Sequence, residues 1–138
     1  MSYNGTDPAY GAFMDAYPPS NRLLLSLPPR NLKQLAPKLE FIRCERDQIL
    51  LDVDASLDHV FFPNSGVISV VAVYADGNVI EMATTGREGF AGVNAFFGAR
   101  RSSARLLVQI PGSAAKMSRA AFNQAMKSMP SFRTLMLA

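Results

Sequence analysis

Between Leu39 and Met117 the chain consists of short stretches in which apolar and polar residues alternate, separated by turn-forming residues. A period of two places successive side chains on opposite faces of a β-strand. The stretches are also rich in β-branched and aromatic residues. The segment therefore predicts about eight short strands with frequent turns. The clearest of these are residues 39–44, 48–53, 59–62, 67–74, 79–84, 105–110 and 114–117.

Two turn pairs indicate that neighbouring strands run antiparallel. Asp76-Gly77 lies between two alternating stretches, and glycine accepts the positive φ that a tight hairpin turn requires. Pro111-Gly112 separates the last two predicted strands in the same way.

Helices are predicted on both sides of the strands. Ser20 is a possible N-cap for a short leucine-rich helix that ends at Pro28-Pro29, and a second short helix is expected over residues 30–35. After the strands, Ser118 is a good N-cap for a helix over 120–126, and Pro130 begins another helix that runs to Ala138.

The expected fold is mainly β with flanking α-helices, an antiparallel β-roll or jelly roll. A length of 138 residues suits one domain with a single core. Residues 1–19 carry glycines and prolines without periodicity and are expected to form a loosely ordered arm. Residues 20–138 are expected to form the folded domain.

The chain has one cysteine, Cys44, and one histidine, His59. Neither an intramolecular disulfide nor a metal site of several cysteines or histidines can be built from them. A cupin-like metal enzyme needs several imidazoles, and a serine hydrolase needs a G-x-S-x-G turn that this sequence lacks. We therefore expect no enzymatic activity, with Cys44 a strand thiol and His59 a partly buried structural residue.

No segment of the sequence predicts a membrane contact. The longest apolar stretch, residues 67–74, is far shorter than the ~20 residues of a membrane-spanning helix. The N-terminus lacks a basic region followed by an apolar one, so a cytoplasmic location is expected.

Charge is distributed unevenly along the chain. Residues 1–88 carry 7 basic and 11 acidic residues, whereas residues 89–138 carry 7 basic and none acidic. The C-terminal part could therefore bind an anionic ligand or an acidic partner. A solvated basic surface would have the same composition.

A glycine-rich turn interrupts the strands at residues 86–98. Glycines before a helix let the backbone approach a ligand, and the free N–H groups of a first helical turn attract anions. This pattern is typical of a phosphate cradle, with Gly89 and Gly92 at its centre.

The order of these segments resembles the cyclic-nucleotide-binding β-roll domain of the CRP/FNR (catabolite activator) family of transcription regulators. The resemblance runs from about Arg22 to the C-terminus. It rests on the stretch 58–67, the Asp76-Gly77 hairpin, the turn 89–92, and the polar stretch 101–104 before the next strand. It implies an effector-sensing domain that signals through a dimer.

In the nucleotide-binding members of that family, a carboxylate directly after the turn holds the ribose 2′-hydroxyl. This chain has Val93 there, followed by Asn94. Valine accepts no hydrogen bond, and an unpaired buried hydroxyl costs roughly 1–3 kcal/mol. Glu88, the nearest carboxylate, precedes the turn. Cyclic AMP binding is therefore expected to be weak or absent, and no cofactor is assigned.

The family also has an arginine before a small hydroxyl residue and alanine, and this arginine neutralises the cyclic phosphate. Arg101 matches that position if the preceding loop is short, whereas counting back from the next strand places Ser102 or Ser103 there. Arg100 or Arg105 could supply the charge instead. The candidate ligand-binding residues are Gly89, Gly92, Val93, Asn94, Arg101, Ser102, Ser103 and Ala104.

Two functions without catalysis are open at this point. The domain either binds a small, possibly anionic effector, or has lost its ligand and acts as a dimerisation and signalling scaffold. The resemblance implies a homodimer formed through the C-terminal helix. It also implies that DNA is contacted only by a helix-turn-helix domain, which these 138 residues do not include.

Overall fold

The computed structural model describes residues 20–92 and 100–137. The expected arm over residues 1–19 lies outside them, as do Val93, Asn94 and the helical turn expected after Gly92. The elements of the described residues are α1 (Arg22–Leu25), α2 (Pro29–Leu35), a 3-10 helix (Ala36–Lys38), β1 (Leu39–Cys44), β2 (Ile49–Leu51), β3 (His59–Pro63), β4 (Val67–Val73), β5 (Val79–Thr85), β6 (Arg105–Ile110), β7 (Gly112–Ser118), α3 (Arg119–Ser128) and α4 (Pro130–Leu137).

The strands form two antiparallel sheets. One has three strands in the order β1-β7-β3, and the other has four in the order β2-β6-β4-β5. Strands distant in sequence, such as β1 and β7, lie side by side, which is the connectivity of a rolled sandwich. The predicted β-roll with flanking helices is confirmed, with seven strands in the described residues where about eight were predicted.

The predicted hairpin joins β4 to β5. Gly77 has a φ of +88°, and the Asn78 backbone N–H donates to the Asp76 carboxylate over 3.0 Å. The Tyr74 N–H donates to the Asn78 carbonyl over 2.9 Å and closes the turn. The turn therefore forms where glycine permits the backbone that a tight hairpin needs.

Side chains of β3 alternate between two hydrophobic cores. Val60 and Phe62 pack in the larger core, between the three-stranded sheet and the helices. Phe61 points the other way, into the roll, where it contacts a cluster that includes Ile68 and Leu106. Strand β3 therefore lies between the helical layer and the interior of the roll.

The N-terminal helix begins one residue later than the Ser20 cap predicted. Asn21 is the N-cap, and its Oδ1 accepts from the N–H groups of Leu23 and Leu24 over 3.1 and 3.2 Å. The Ser20 hydroxyl instead donates to the Asn64 carbonyl over 3.0 Å. Serine and asparagine cap helices about equally well, and here the tertiary contacts select Asn21.

The second helix starts at Pro29 rather than at residue 30. Pro29 occupies the first helical position, where a missing N–H costs nothing because that group has no partner inside the helix. The proline pair therefore separates the two helices and also starts the second.

Ser118 and Pro130 mark the starts of the C-terminal helices as predicted, although α3 spans Arg119–Ser128 rather than residues 120–126. The Ser118 hydroxyl accepts from the Ala121 N–H over 3.1 Å and caps α3, and Pro130 begins α4. Phe132 and Met136 are buried in the chain's own core, whereas Leu137 is 54% exposed. Part of the apolar surface of α4 is therefore covered within the chain itself.

No helix in the described ranges combines the length and the apolar character needed to cross a bilayer.

Candidate functional site

The glycine turn that follows β5 is attached to the rest of the domain at its first residue. The Gly89 carbonyl accepts a hydrogen bond of 2.8 Å from the Asn21 side-chain amide. Asn21 has no exposed surface, and the same amide donates to the Pro63 carbonyl over 2.8 Å. One side chain thus links the start of α1, the end of β3 and the turn.

The next two residues attach the turn to both cores. The ring of Phe90 lies between those of Phe62 and Phe122, with centroid distances of 5.7 and 5.9 Å. Ala91 forms a two-bond bridge with Phe61, with N···O distances of 2.9 and 3.0 Å. The turn therefore has a defined position relative to β3 and α3.

Gly92 ends the turn in a backbone conformation that favours glycine. Its φ is +100°, and a Cβ atom at this position would lie 3.0 Å from the His59 carbonyl oxygen. The close approach and the positive φ both explain why glycine stands here. Of the remaining predicted turn residues, Val93 and Asn94 lie outside the described residues.

Arg101 is exposed and directed to a neighbouring loop. Its Nη1 donates to the Asp54 carbonyl over 2.9 Å, and its backbone forms an isolated bridge with Ser56. Asp54 has a positive φ of 63°, which orients this loop carbonyl. The guanidinium is therefore bonded to a loop on the outside of the roll.

Ser102 occupies the inward position instead. Ser102, Ala104, Leu106 and Val108 are buried at alternate positions, and Leu106 packs with Phe61 inside the roll. The Ser102 hydroxyl bonds to the backbone of Ala104, donating to the carbonyl over 2.5 Å and accepting from the N–H over 3.3 Å. Of the candidate positions 101 to 103, only Ser102 is therefore buried, while Arg101 and Ser103 are exposed.

The other candidate charges also lie away from this inward position. Arg105 forms an ion pair of 2.8 Å with Asp52, and the hydrogen bond from Arg105 lowers the pKa of that carboxyl. Arg100, Ser103 and Glu88 are exposed. Within the described ranges, no arginine is directed into the roll beside Ser102.

His59 and Cys44 both lie on strands, as expected. Desolvation, followed by the charge of Lys116, lowers the pKa of the partly buried His59 imidazole. Burial raises the pKa of the Cys44 thiol. Among the described residues, no three histidine, cysteine or acidic side chains are grouped to hold a metal ion.

Sequence reasoning missed Asn21. Its cap role has a recognisable signal, since asparagine is among the preferred N-cap residues. Its bonds to Pro63 and Gly89 join residues 42 and 68 positions apart, and nothing local to the sequence indicates them.

Residues 41–129 match a family model described as the cyclic nucleotide-binding domain. No curated protein sequence matches the chain. Solved structures with the same fold include the regulatory subunit of a cAMP-independent protein kinase A from Trypanosoma brucei, at 18% identity and a TM-score of 0.76. The match covers 95% of this chain, which spans about half, 47%, of the trypanosome chain.

Two similar structures are bacterial regulators. The sensor domain of the transcriptional regulator DNR from Pseudomonas aeruginosa matches at 14% identity and a TM-score of 0.74, over 95% of this chain and 87% of that one. The c-di-GMP responsive regulator CLP from Xanthomonas campestris matches at 13% identity and a TM-score of 0.69, over 79% and 56%.

Proposed function

This chain belongs to the cyclic nucleotide-binding domain family, and we propose that it is the effector-sensing domain of a CRP/FNR-type transcription regulator. The observation that supports the proposal is an anchored glycine turn together with a buried serine. The Gly89 carbonyl is bonded to Asn21, Gly92 approaches His59 closely, and Ser102 is buried. We take Ser102 as the counterpart of the arginine that binds phosphate in nucleotide-binding members of the family.

The proposed effector is small and carries no strong negative charge. A phosphate moved out of water needs a cation or several hydrogen-bond donors to offset its desolvation. Arg101 and Arg105 are bonded to Asp54 and Asp52 on other surfaces, and the Ser102 hydroxyl bonds to Ala104. A neutral ligand fits this set of groups better than a cyclic nucleotide does.

The fold alone does not imply cyclic AMP as the effector. The trypanosome regulatory subunit is described as cAMP-independent, and CLP as c-di-GMP responsive. A shared fold does not fix the ligand, so the choice of effector depends on the residues of the site.

The second candidate is a scaffold without a ligand. One observation favours it: within the described ranges, no buried side-chain nitrogen or oxygen lacks a hydrogen-bond partner. The Ser102 hydroxyl in particular is already bonded to the backbone of Ala104. A pocket with satisfied polar groups can persist without an effector.

Dimerisation, a cytoplasmic location and the absence of catalysis are further parts of the proposal. A self-complementary contact is the commonest route to a homodimer, and we assign that contact to the C-terminal helical segment. DNA recognition would belong to another part of the regulator.

Calorimetric titration tests the proposed ligand class. Cyclic AMP should bind with a Kd weaker than about 1 mM, and adenosine, which lacks the phosphate, should bind more tightly. Micromolar binding of cyclic AMP that is lost in Arg101→Ala but kept in Arg46→Ala would contradict the outward assignment of Arg101. Binding of neither compound would favour the scaffold.

A further inference from the structure

The helices carry a net positive charge, whereas the strands do not. The helical face, defined here as α1, α2, the 3-10 helix, α3 and α4, has four basic residues between Arg22 and Lys38 and three between Arg119 and Leu137, with no acidic residue in either segment. The strands and their loops, residues 39–92 and 100–118, carry nine acidic and seven basic residues. The excess of positive charge therefore belongs to one layer of the domain.

These helical cations are available for a partner. Six of the seven are exposed, and Arg119 is partly buried. The ion pairs found among the described residues, Arg105 with Asp52 and Lys116 with Glu40, both lie on the strands and their loops. Like charges repel one another, and an acidic partner would relieve the repulsion among these cations.

A groove of about 270 Å³ crosses this face between α3 and the segment formed by α2 and the 3-10 helix. Its apolar lining includes Leu35, Ala125 and Met129, and its polar lining includes Lys38, Gln124 and Ser128.

A hydrogen bond and the larger core hold the walls of the groove in place. The Ser131 hydroxyl, at the start of α4, donates to the Asn31 side chain of α2 over 3.0 Å. Leu35, Ala125 and Met129 belong to the larger core, so the apolar lining is part of the packed interior. The groove is thus a feature of the folded domain.

We propose that the helical face docks an acidic amphipathic segment of another protein, with an apolar side chain in the groove and carboxylates beside Lys38. An apolar lining suits a leucine or isoleucine side chain, whereas a nucleic-acid backbone would leave it unused. The amide of Gln124 supplies a hydrogen-bond donor for a carboxylate at the same rim. This interaction is separate from effector binding, because none of the groove residues belongs to the glycine turn.

Fluorescence anisotropy with a labelled synthetic peptide of repeated Glu-Glu-Leu-Leu units tests the proposal. The peptide should bind the purified chain, and binding should weaken as salt rises past about 0.15 M. Lys38→Glu and Gln124→Glu should each weaken it by roughly tenfold, because both add a negative charge at the groove. Arg46→Glu and Gln109→Glu make the same changes at exposed positions outside the helical face and should have less than about a twofold effect.

Circular dichroism of each variant shows whether it folds, and Gln124→Glu, the nearly isosteric change, keeps the test valid if Lys38→Glu does not. An equal loss of peptide affinity in Arg46→Glu and Gln109→Glu would overturn the proposal. The absence of peptide binding would also overturn the proposal. If the peptide does not bind, but a DNA duplex or phosphatidylserine vesicles bind and the same two variants abolish that binding, the face recognises a different partner and the proposal is likewise overturned. Self-association of the chain that Lys38→Glu abolishes would assign the face to a second copy and also overturn it.

Discussion

At the scale of single residues, hydrogen bonds over long sequence distances decide how the site is held. Asn21 is fully buried, and its side chain bonds to four backbone groups in three segments. Ser102 is buried as well and bonds within its own turn, while Arg101 bonds to the loop at Asp54. The site is thus shaped by a few polar side chains whose partners are backbone groups.

Replacing Asn21 with alanine should destabilise the domain by about 2–4 kcal/mol, because several buried backbone groups would lose their partner together with the helix cap. Asn31→Ala removes an asparagine whose bonds lie at partly exposed positions and should cost less than about 1 kcal/mol. Urea unfolding of both variants measures the difference. Equal losses would show that the bonds of Asn21 contribute little.

The single histidine gives a second prediction. Because desolvation and Lys116 lower the pKa of His59 in the folded state, the unfolded chain binds more protons between that pKa and the ordinary value of about 6.5. The free energy of unfolding should therefore fall as the pH drops through this window. His59→Gln should remove that slope, which urea unfolding at several pH values can measure. A slope unchanged by the substitution would contradict the assignment.

Local patterns predicted individual residues only in part. The register of the arginine motif stayed open in the sequence, because loop lengths between Gly92 and β6 can vary. Burial at alternate positions from Ser102 to Val108 supports one register. That signal depends on which face of the strand meets the core, a property of the tertiary structure.

At the scale of elements, the turn from Gly89 to Gly92 joins the two cores. Phe90 packs in the helical core, and Ala91 pairs with Phe61 inside the roll. A shift of this turn would therefore disturb β3 and α3 together.

Gly92→Ala should destabilise the domain by about 2–4 kcal/mol, because alanine would be strained at this φ and its Cβ would press on the His59 carbonyl. Gly77→Ala is the matched control, since Gly77 also has a positive φ but a Cβ there meets nothing within 4 Å. It should cost only about 1–2 kcal/mol. Thermal unfolding compares them, and equal losses would mean that the close approach adds nothing.

Strand positions were predictable because alternation is a local property. Strands β1 and β6 have the predicted bounds, and the bounds of the others differ by one or two residues. The pairing of β1 with β7 and of β2 with β6 could not be derived from alternation, since it depends on how the two sheets close around the cores.

At the scale of the whole molecule, the domain has a roll for the proposed ligand on one side of β3 and helices on the other. The helical layer buries Phe122, Phe132 and Met136 and leaves Leu137 exposed. Part of the apolar surface of α4 is therefore not available to a second copy.

We expect the chain to form a homodimer in which the C-terminal helical segment supplies the contact. Sedimentation of the full chain and of a chain ending at Ser128 tests this at concentrations of about tens of micromolar. The longer chain should dimerise and the shorter one should not. Since the truncation also removes Phe132 from the core, circular dichroism must show that the shorter chain is folded. Two monomeric species, with both chains folded, would contradict the dimer.

We propose that Ser102 stands at the inward position where a phosphate-binding arginine would be needed. Calorimetric titration of cyclic AMP into Ser102→Arg and Ser103→Arg tests it most directly, because the two variants add the same charge one residue apart. Ser102→Arg should raise the affinity for cyclic AMP by at least about tenfold over the original chain, and Ser103→Arg should leave it unchanged. A gain confined to Ser103→Arg, or micromolar binding by the original chain, would contradict the account.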